Sequence, residues 1–156
     1  MDIEIQPVTE LPKEIAELEK QAVSEGFSFV GRMIEEFNNG TNKFDQQGEF
    51  LLMAYDGKKL IACGGLNQQR SEDTHGKHIG RVRRFYVLPQ YRKYGVGKQL
   101  LQHLEKKAVS HFSALCLSTD TQSAAHFYQK MNYVHVANHP SYNYFKYLIN
   151  SLGSIE

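Results

Sequence analysis

The chain turns on one stretch, Phe85-Tyr86-Val87-Leu88-Pro89-Gln90-Tyr91-Arg92-Lys93-Tyr94-Gly95-Val96-Gly97-Lys98. Ile79 to Leu88 is rich in β-branched and aromatic residues and stops at Pro89, which marks the end of a strand. From Gly97 to Ser110, Leu100, Leu101, Leu104 and Ala108 recur at helical spacing, with Lys98, Gln102, Lys106 and Lys107 on the opposite side. A basic loop with two glycines therefore joins a strand to a helix. Amides at a helix start lack intrahelical acceptors, the helix dipole adds positive potential, and glycine lets backbone come close to oxygen atoms. The loop suits a phosphate, and Arg92, Lys93 and Lys98 add charge to it.

Spacing separates the phosphate motifs that compete for this loop. A Walker loop needs Gly where Arg92 stands and Ser or Thr where Gln99 stands. A dinucleotide fingerprint needs a third Gly where the chain has Leu100. Neither fits, and what remains is R-x-x-G-x-G from Arg92 to Gly97.

Upstream, Ile3, Ile5 and Pro7 read as a strand and Lys13 to Ser24 as a helix with Ile15, Leu18 and Ala22 inward. A shorter helix holding Met33, Ile34 and Phe37 ends at Asn38-Asn39-Gly40. Phe50 to Tyr55 and Lys59 to Leu66 form a hairpin over Asp56-Gly57, followed by a polar loop from Asn67 to Lys77. Downstream come a short buried strand at Leu115 to Leu117, a helix from Thr121 to Lys130, and strands at Tyr133 to Val136 and Tyr142 to Ile149. This order implies one α/β (α+β) domain over residues 1–156, a mixed sheet of about seven strands with helices on both faces.

At 156 residues, 41% hydrophobic and 22% charged, the chain has the size and composition of one globular domain. Its longest apolar run, Phe50 to Tyr55, falls far short of the ~20 residues that span a bilayer. Met1-Asp2-Ile3-Glu4 offers neither a basic leader nor an apolar signal core, so a cytoplasmic location is expected. The net charge of +1 hides an imbalance: residues 1–76 hold 7 Lys/Arg against 14 Asp/Glu, whereas residues 77–107 hold 9 against a single acid, Glu105. That basic segment contains the loop.

The loop and its surroundings resemble the GNAT superfamily of acyl-CoA-dependent N-acetyltransferases. Phe85 to Tyr91 is similar to the strand and loop that precede the family's R-x-x-G-x-G. A second stretch, Ala124, Phe127-Tyr128-Gln129-Lys130-Met131-Asn132-Tyr133, resembles its second signature, an Ala, a Phe-Tyr pair and a Gly-Phe ending. The resemblance implies a sheet that is mostly antiparallel, with a splayed central strand pair, and acetyl-CoA as cofactor with coenzyme A as product. It implies that the backbone of Phe85, Tyr86 and Val87 pairs with the pantetheine amides. The segment Arg92, Lys93, Tyr94, Gly95, Val96, Gly97 and Lys98 would hold the pyrophosphate, and Tyr128 would face the thioester sulfur as proton donor. The acceptor would be an amine of a small molecule or peptide, and the protein a monomer or homodimer.

Some positions depart from the family pattern. Thr121 stands where many members have an Asn that contacts the cofactor, and Asn132 replaces a Gly, Asn being the next most tolerant residue of a left-handed backbone. The strand Leu115-Cys116-Leu117-Ser118 offers no carboxylate as general base, which leaves water, the substrate, or an acid such as Glu72 or Asp73. Arg81 and Arg83, alternate residues on one strand, share a face and either meet a carboxylate or phosphate of the acceptor or pair with the acidic N-terminal half.

Other readings fit less well. The pairs His75/His78 and His135/His139 lack the further ligands a metal needs, and no metal is expected. Cys63 and Cys116 sit in apolar surroundings and read as buried thiols. A non-catalytic acyl-CoA binding or sensing module is the alternative function. Nucleic acid is disfavoured because the basic stretch coincides with the phosphate loop.

Overall fold

Alternation and apolar runs place the strands of a single sheet. In the computed structural model, which describes residues 1–69 and 78–148, these are β1 (Ile3–Val8), β2 (Phe50–Asp56), β3 (Lys59–Gln68), β4 (Ile79–Val87), β5 (Ala114–Leu117), β6 (Val134–His135) and β7 (Tyr144–Tyr147). They run in the order β1-β2-β3-β4-β5-β7-β6. Among the described residues β4 and β5 pair in parallel and every other neighbouring pair is antiparallel. Leu51 to Ala54 and Leu60 to Leu66 are buried throughout, as strands covered on both faces require.

Four helices supply that cover: α1 (Ile15–Ser24), α2 (Phe29–Asn39), α3 (Val96–Ala108) and α4 (Gln122–Lys130). Each buries one stripe, Val30, Met33 and Phe37 on α2 and Val96, Leu100, Leu101, Leu104 and Ala108 on α3. Successive residues of β4 show that the helices flank both faces. Phe85 meets Phe127 and Tyr128 of α4, whereas Tyr86 meets Phe27 and Phe29 at the α1–α2 connection.

The boundaries shift in places. The hairpin turn is Gly57-Lys58, because Asp56 still pairs with Lys59, and Gly57 takes the positive φ of 60° that a two-residue turn needs at its first position. Asn67 and Gln68 extend β3 and do not begin the polar loop. Residues 70–77 of that loop, with Glu72, Asp73, His75 and Lys77, lie outside the described residues, as does Ile149 at the end of the last expected strand. Asn132 has φ 72°, the left-handed backbone expected where a Gly is usual. Among the described residues no helix is long and apolar enough to cross a membrane.

Two irregularities shape the centre. β4 and β5 pair only at Ile79 with Ala114, Gly80 with Leu115 and Arg81 with Cys116, after which they part: β5 ends at Leu117 beside Tyr144 and β4 runs on to Val87 paired only with β3. Between β3 and β4 the register slips: Cys63 pairs with Tyr86 but Gly65 with Arg83, so Gly64 faces both Arg84 and Phe85. This is a bulge on β4, and it places Arg84 at φ 57°.

Candidate active site

The parting of β4 from β5 opens a cleft of about 710 Å³, a size typical of small-molecule sites. Its walls are Arg81 to Val87 of β4, Leu117 to Thr121 after β5, the start of α4, and the turn leading into α3.

The basic loop is more ordered than its sequence suggests. Pro89–Tyr94 winds into a 3-10 helix, with Pro89 at its first position where no N–H is needed. Tyr91 anchors it, its hydroxyl donating to Asp56 Oδ2 at 2.7 Å. Gly95 then adopts φ 78°, ψ 11°, a left-handed turn that caps one helix and starts the next. The first backbone bond of α3 runs from Gln99 N to Gly95 O at 3.0 Å. The amides of Val96, Gly97 and Lys98 ahead of it have no backbone acceptor among the described residues. Gly95, Gly97 and Lys98 line the cleft, whereas the Val96 side chain is fully buried, and Lys93 and Tyr94 are exposed and do not line it. A Cβ on Gly97 would lie 3.2 Å from the Phe127 ring, so glycine there lets α4 close over the helix start.

Arg92 lines the cleft but its charge is already matched. Its Nη1 and Nη2 donate to the two carboxylate oxygens of Glu25 at 2.8 and 2.7 Å, and its Nε donates to Val87 O at 2.9 Å. The Tyr86 hydroxyl donates to the same carboxylate. Burial pushes the Glu25 carboxyl up, but the hydrogen bonds from Arg92 and Tyr86 and the guanidinium charge outweigh it and hold the pKa below the ordinary value. Burial, then the Glu25 carboxylate, raises the Tyr86 hydroxyl. Arg92 thus positions the loop against β4 and the α1–α2 turn. The helix-start amides and Lys98 have no such partner among the described residues. The Val87 carbonyl accepts from Arg92.

Tyr128 sits at the inner end of the cleft, 6% exposed, packed edge-on against Phe85, Phe127 and Tyr133. Its hydroxyl has no hydrogen-bond partner among the described residues. Burial raises its pKa, so the group is O–H throughout the neutral range. Thr121 lines the cleft as the N-cap of α4, its Oγ1 accepting from Ala124 N at 3.3 Å.

The three arginines of β4 differ. Arg81 is held by Ser141 O at 2.8 Å, Ser118 Oγ at 3.0 Å and Gln69 Oε1 at 3.3 Å. Arg84 pairs with Glu36 at 2.9 Å, its side chain 8% exposed. Arg83 makes no hydrogen bond or ion pair among the described residues. Of the two readings of Arg81 and Arg83, pairing with the acidic N-terminal half is met by Arg84 and not by them.

Sequence reading missed several residues on the walls: Phe27, Phe29, Arg84 and Asp120, with Glu25 behind Arg92. The stretch Glu25-Gly26-Phe27-Ser28-Phe29, aromatic at alternate positions between two helices, was the available signal. Among the described residues no group of three His, Cys, Asp or Glu is placed to hold a metal, and Cys63 and Cys116 are buried thiols.

A sheet parted at its centre, with a glycine-led helix start at the mouth of the parting, defines the acyltransferase class that the R-x-x-G-x-G loop resembles. The model of the acetyltransferase (GNAT) family matches residues 13–133, and the chain belongs to that family. A putative acetyltransferase from Exiguobacterium sp. 255-15 is 26% identical over 94% of each chain, with a TM-score of 0.80. Two solved structures under 20% identical share the fold. One is Ard1 from Thermoplasma volcanium (15% identity, 96% of this chain and 100% of that one, TM-score 0.68). The other is a NatC complex bound to Gag peptide and CoA (17%, 95% and 99%, 0.67). No curated protein matches the sequence.

Proposed function

We propose that this GNAT protein is an acetyl-CoA-dependent N-acetyltransferase in which a primary amine of a small molecule or peptide attacks the thioester directly. One juxtaposition carries the reading: the unmatched amides at Gly97 and Lys98 and the unpartnered Tyr128 hydroxyl open onto the same cleft. These groups fit acetyl-CoA, which the family uses, and the NatC complex, a solved neighbour of the same fold, is bound to CoA.

Acetyl-CoA brings an activated acyl carbon and a thiol leaving group. The chain's own part is to bind, orient and move protons. The start of α3, with Lys98, holds the diphosphate, and the edge of β4 that β5 leaves unpaired aligns the pantetheine arm. Phe85 and Phe127 keep the inner cleft apolar, which orients the thioester and excludes water. As the C–N bond forms and the C–S bond breaks, Tyr128, kept protonated by burial, would donate its proton to the departing sulfur and regain one from the proton that the acylated nitrogen releases. The attacking nitrogen must be neutral, whereas an amine of pKa ~10.4 is only about 0.04% unprotonated at pH 7. That proton leaves through solvent or a carboxylate reaching the cleft. Direct attack suits the site, since the buried Cys63 thiol has its pKa pushed up to about 12 by desolvation.

Thiol release from acetyl-CoA across amines, polyamines, amino acids and peptides tests the reading, with acetylated product formed one for one with CoA. Tight CoA binding with no thiol release from any amine favours a sensing module instead.

A further inference from the structure

We infer that the acceptor amine carries an anionic group, a carboxylate or phosphate, and that Arg83 binds it. The inference rests on the acyl-transfer reading above and assigns its substrate class. Arg83 lies where the cofactor cleft meets a second cavity of about 310 Å³, and it lines both. Its neighbours on β4 are committed, Arg81 to Ser118, Ser141 and Gln69, and Arg84 to Glu36, while Arg83 makes no hydrogen bond or ion pair among the described residues.

Positive charge is in excess on the cleft side of this junction, where Arg81, Arg83, Arg84, Arg92 and Lys98 face the single acid Asp120, whereas the second cavity carries Glu36, Asp45 and Glu49. Burial, then the like charges of Arg84 and Arg81, pull the Arg83 pKa down, and Glu36 opposes them only in part. Arg84 adds a second sign of a missing partner: its side chain is 8% exposed, it lines the cleft, and its buried Nε–H has no acceptor. Buried guanidinium groups without acceptors are costly, and an anion arriving with the substrate removes that cost. Arg81, fixed by its three oxygens, is a positioning residue that keeps the field positive and does not itself meet the acceptor.

The test compares acceptors with and without an anionic group: glycine with glycinamide and β-alanine with 3-aminopropanol, matched in length, and aminoethyl phosphate with ethanolamine, which lacks the phosphoryl group. Wild-type protein should favour the charged member in kcat/KM by about 10- to 100-fold, as a charge-assisted hydrogen bond implies. The carboxylate and phosphate arms show which anion fits. Arg83→Met should bring that ratio to within about threefold of unity, and Arg83→Lys should keep more of it than Met does. Equal kcat/KM within every pair in the wild-type protein overturns the inference while leaving acetyl transfer intact, and needs no variant to fold. Thiol release from no amine at all overturns acyl transfer and this inference together.

Discussion

Tyr128 and Glu25 are two polar groups at one cleft with opposite structural roles. The Tyr128 hydroxyl bonds to nothing among the described residues, so Tyr128→Phe should leave melting within the ±0.5 kcal/mol of a neutral change. The same substitution should lower kcat by about 10²- to 10⁴-fold with CoA affinity intact, the range for loss of a general acid. Glu25 behaves differently, because Arg92 and Tyr86 both donate to it. Its folded pKa lies below its ordinary value of 4.5, so its stabilisation is complete above that pH and lost as pH falls through the folded pKa. Glu25→Gln should cost about 1–3 kcal/mol at pH 7 and flatten the loss of stability below pH ~4.5, measured by urea unfolding across pH. A parallel pH profile in wild type and variant would remove Glu25 from that role. The alternating aromatics after Glu25 mark its loop but not its role, since its partners lie more than sixty residues away and meet it only in the folded chain.

At the scale of elements, the bulge in β4 sets the aim of the site. It turns Phe85 toward α4, where a Cβ on Gly64 would press within 2.9 Å of its ring, and leaves Arg84 in a left-handed backbone that costs about 1–3 kcal/mol. The Glu36–Arg84 pair helps to hold that conformation. Glu36→Ala should destabilise by about 3 kcal/mol in chemical denaturation, because it strands a buried guanidinium, and a Glu36→Leu/Arg84→Met double variant should recover part of the loss. A further test lies at the contact of α3 with α4. Gly97→Ala drives a methyl toward Phe127 at the cleft wall and should weaken CoA binding more than it lowers melting temperature. The helices and strands were legible in the sequence because apolar spacing reports burial: the α3 stripe of Leu100, Leu101, Leu104 and Ala108 appears as read. The bulge was not, since Arg83-Arg84-Phe85 alternates no differently from a regular strand and its register is fixed by Cys63 and Gly65 across the sheet.

For the whole molecule, the division of charge along the chain has a structural counterpart. The acidic N-terminal part supplies Glu25 and Glu36, which neutralise Arg92 and Arg84 of the basic segment, and Arg83 and Lys98 are left to face the cleft. Sequence patterns put the glycine loop at a helix start and Tyr128 on the last helix, and the family resemblance implied the parted strands. They did not separate the matched cations from the unmatched, because that depends on contacts between halves. The central claim is that main-chain amides at the Gly95–Gly97 bend grip a diphosphate and so set the reach of the acyl arm. Calorimetric titration with CoA, dephospho-CoA and pantetheine tests it most directly. The two diphosphates should bind within about tenfold of each other and pantetheine at least about 100-fold more weakly, a loss of about 2.7 kcal/mol, whereas pantetheine binding as tightly as CoA would contradict it.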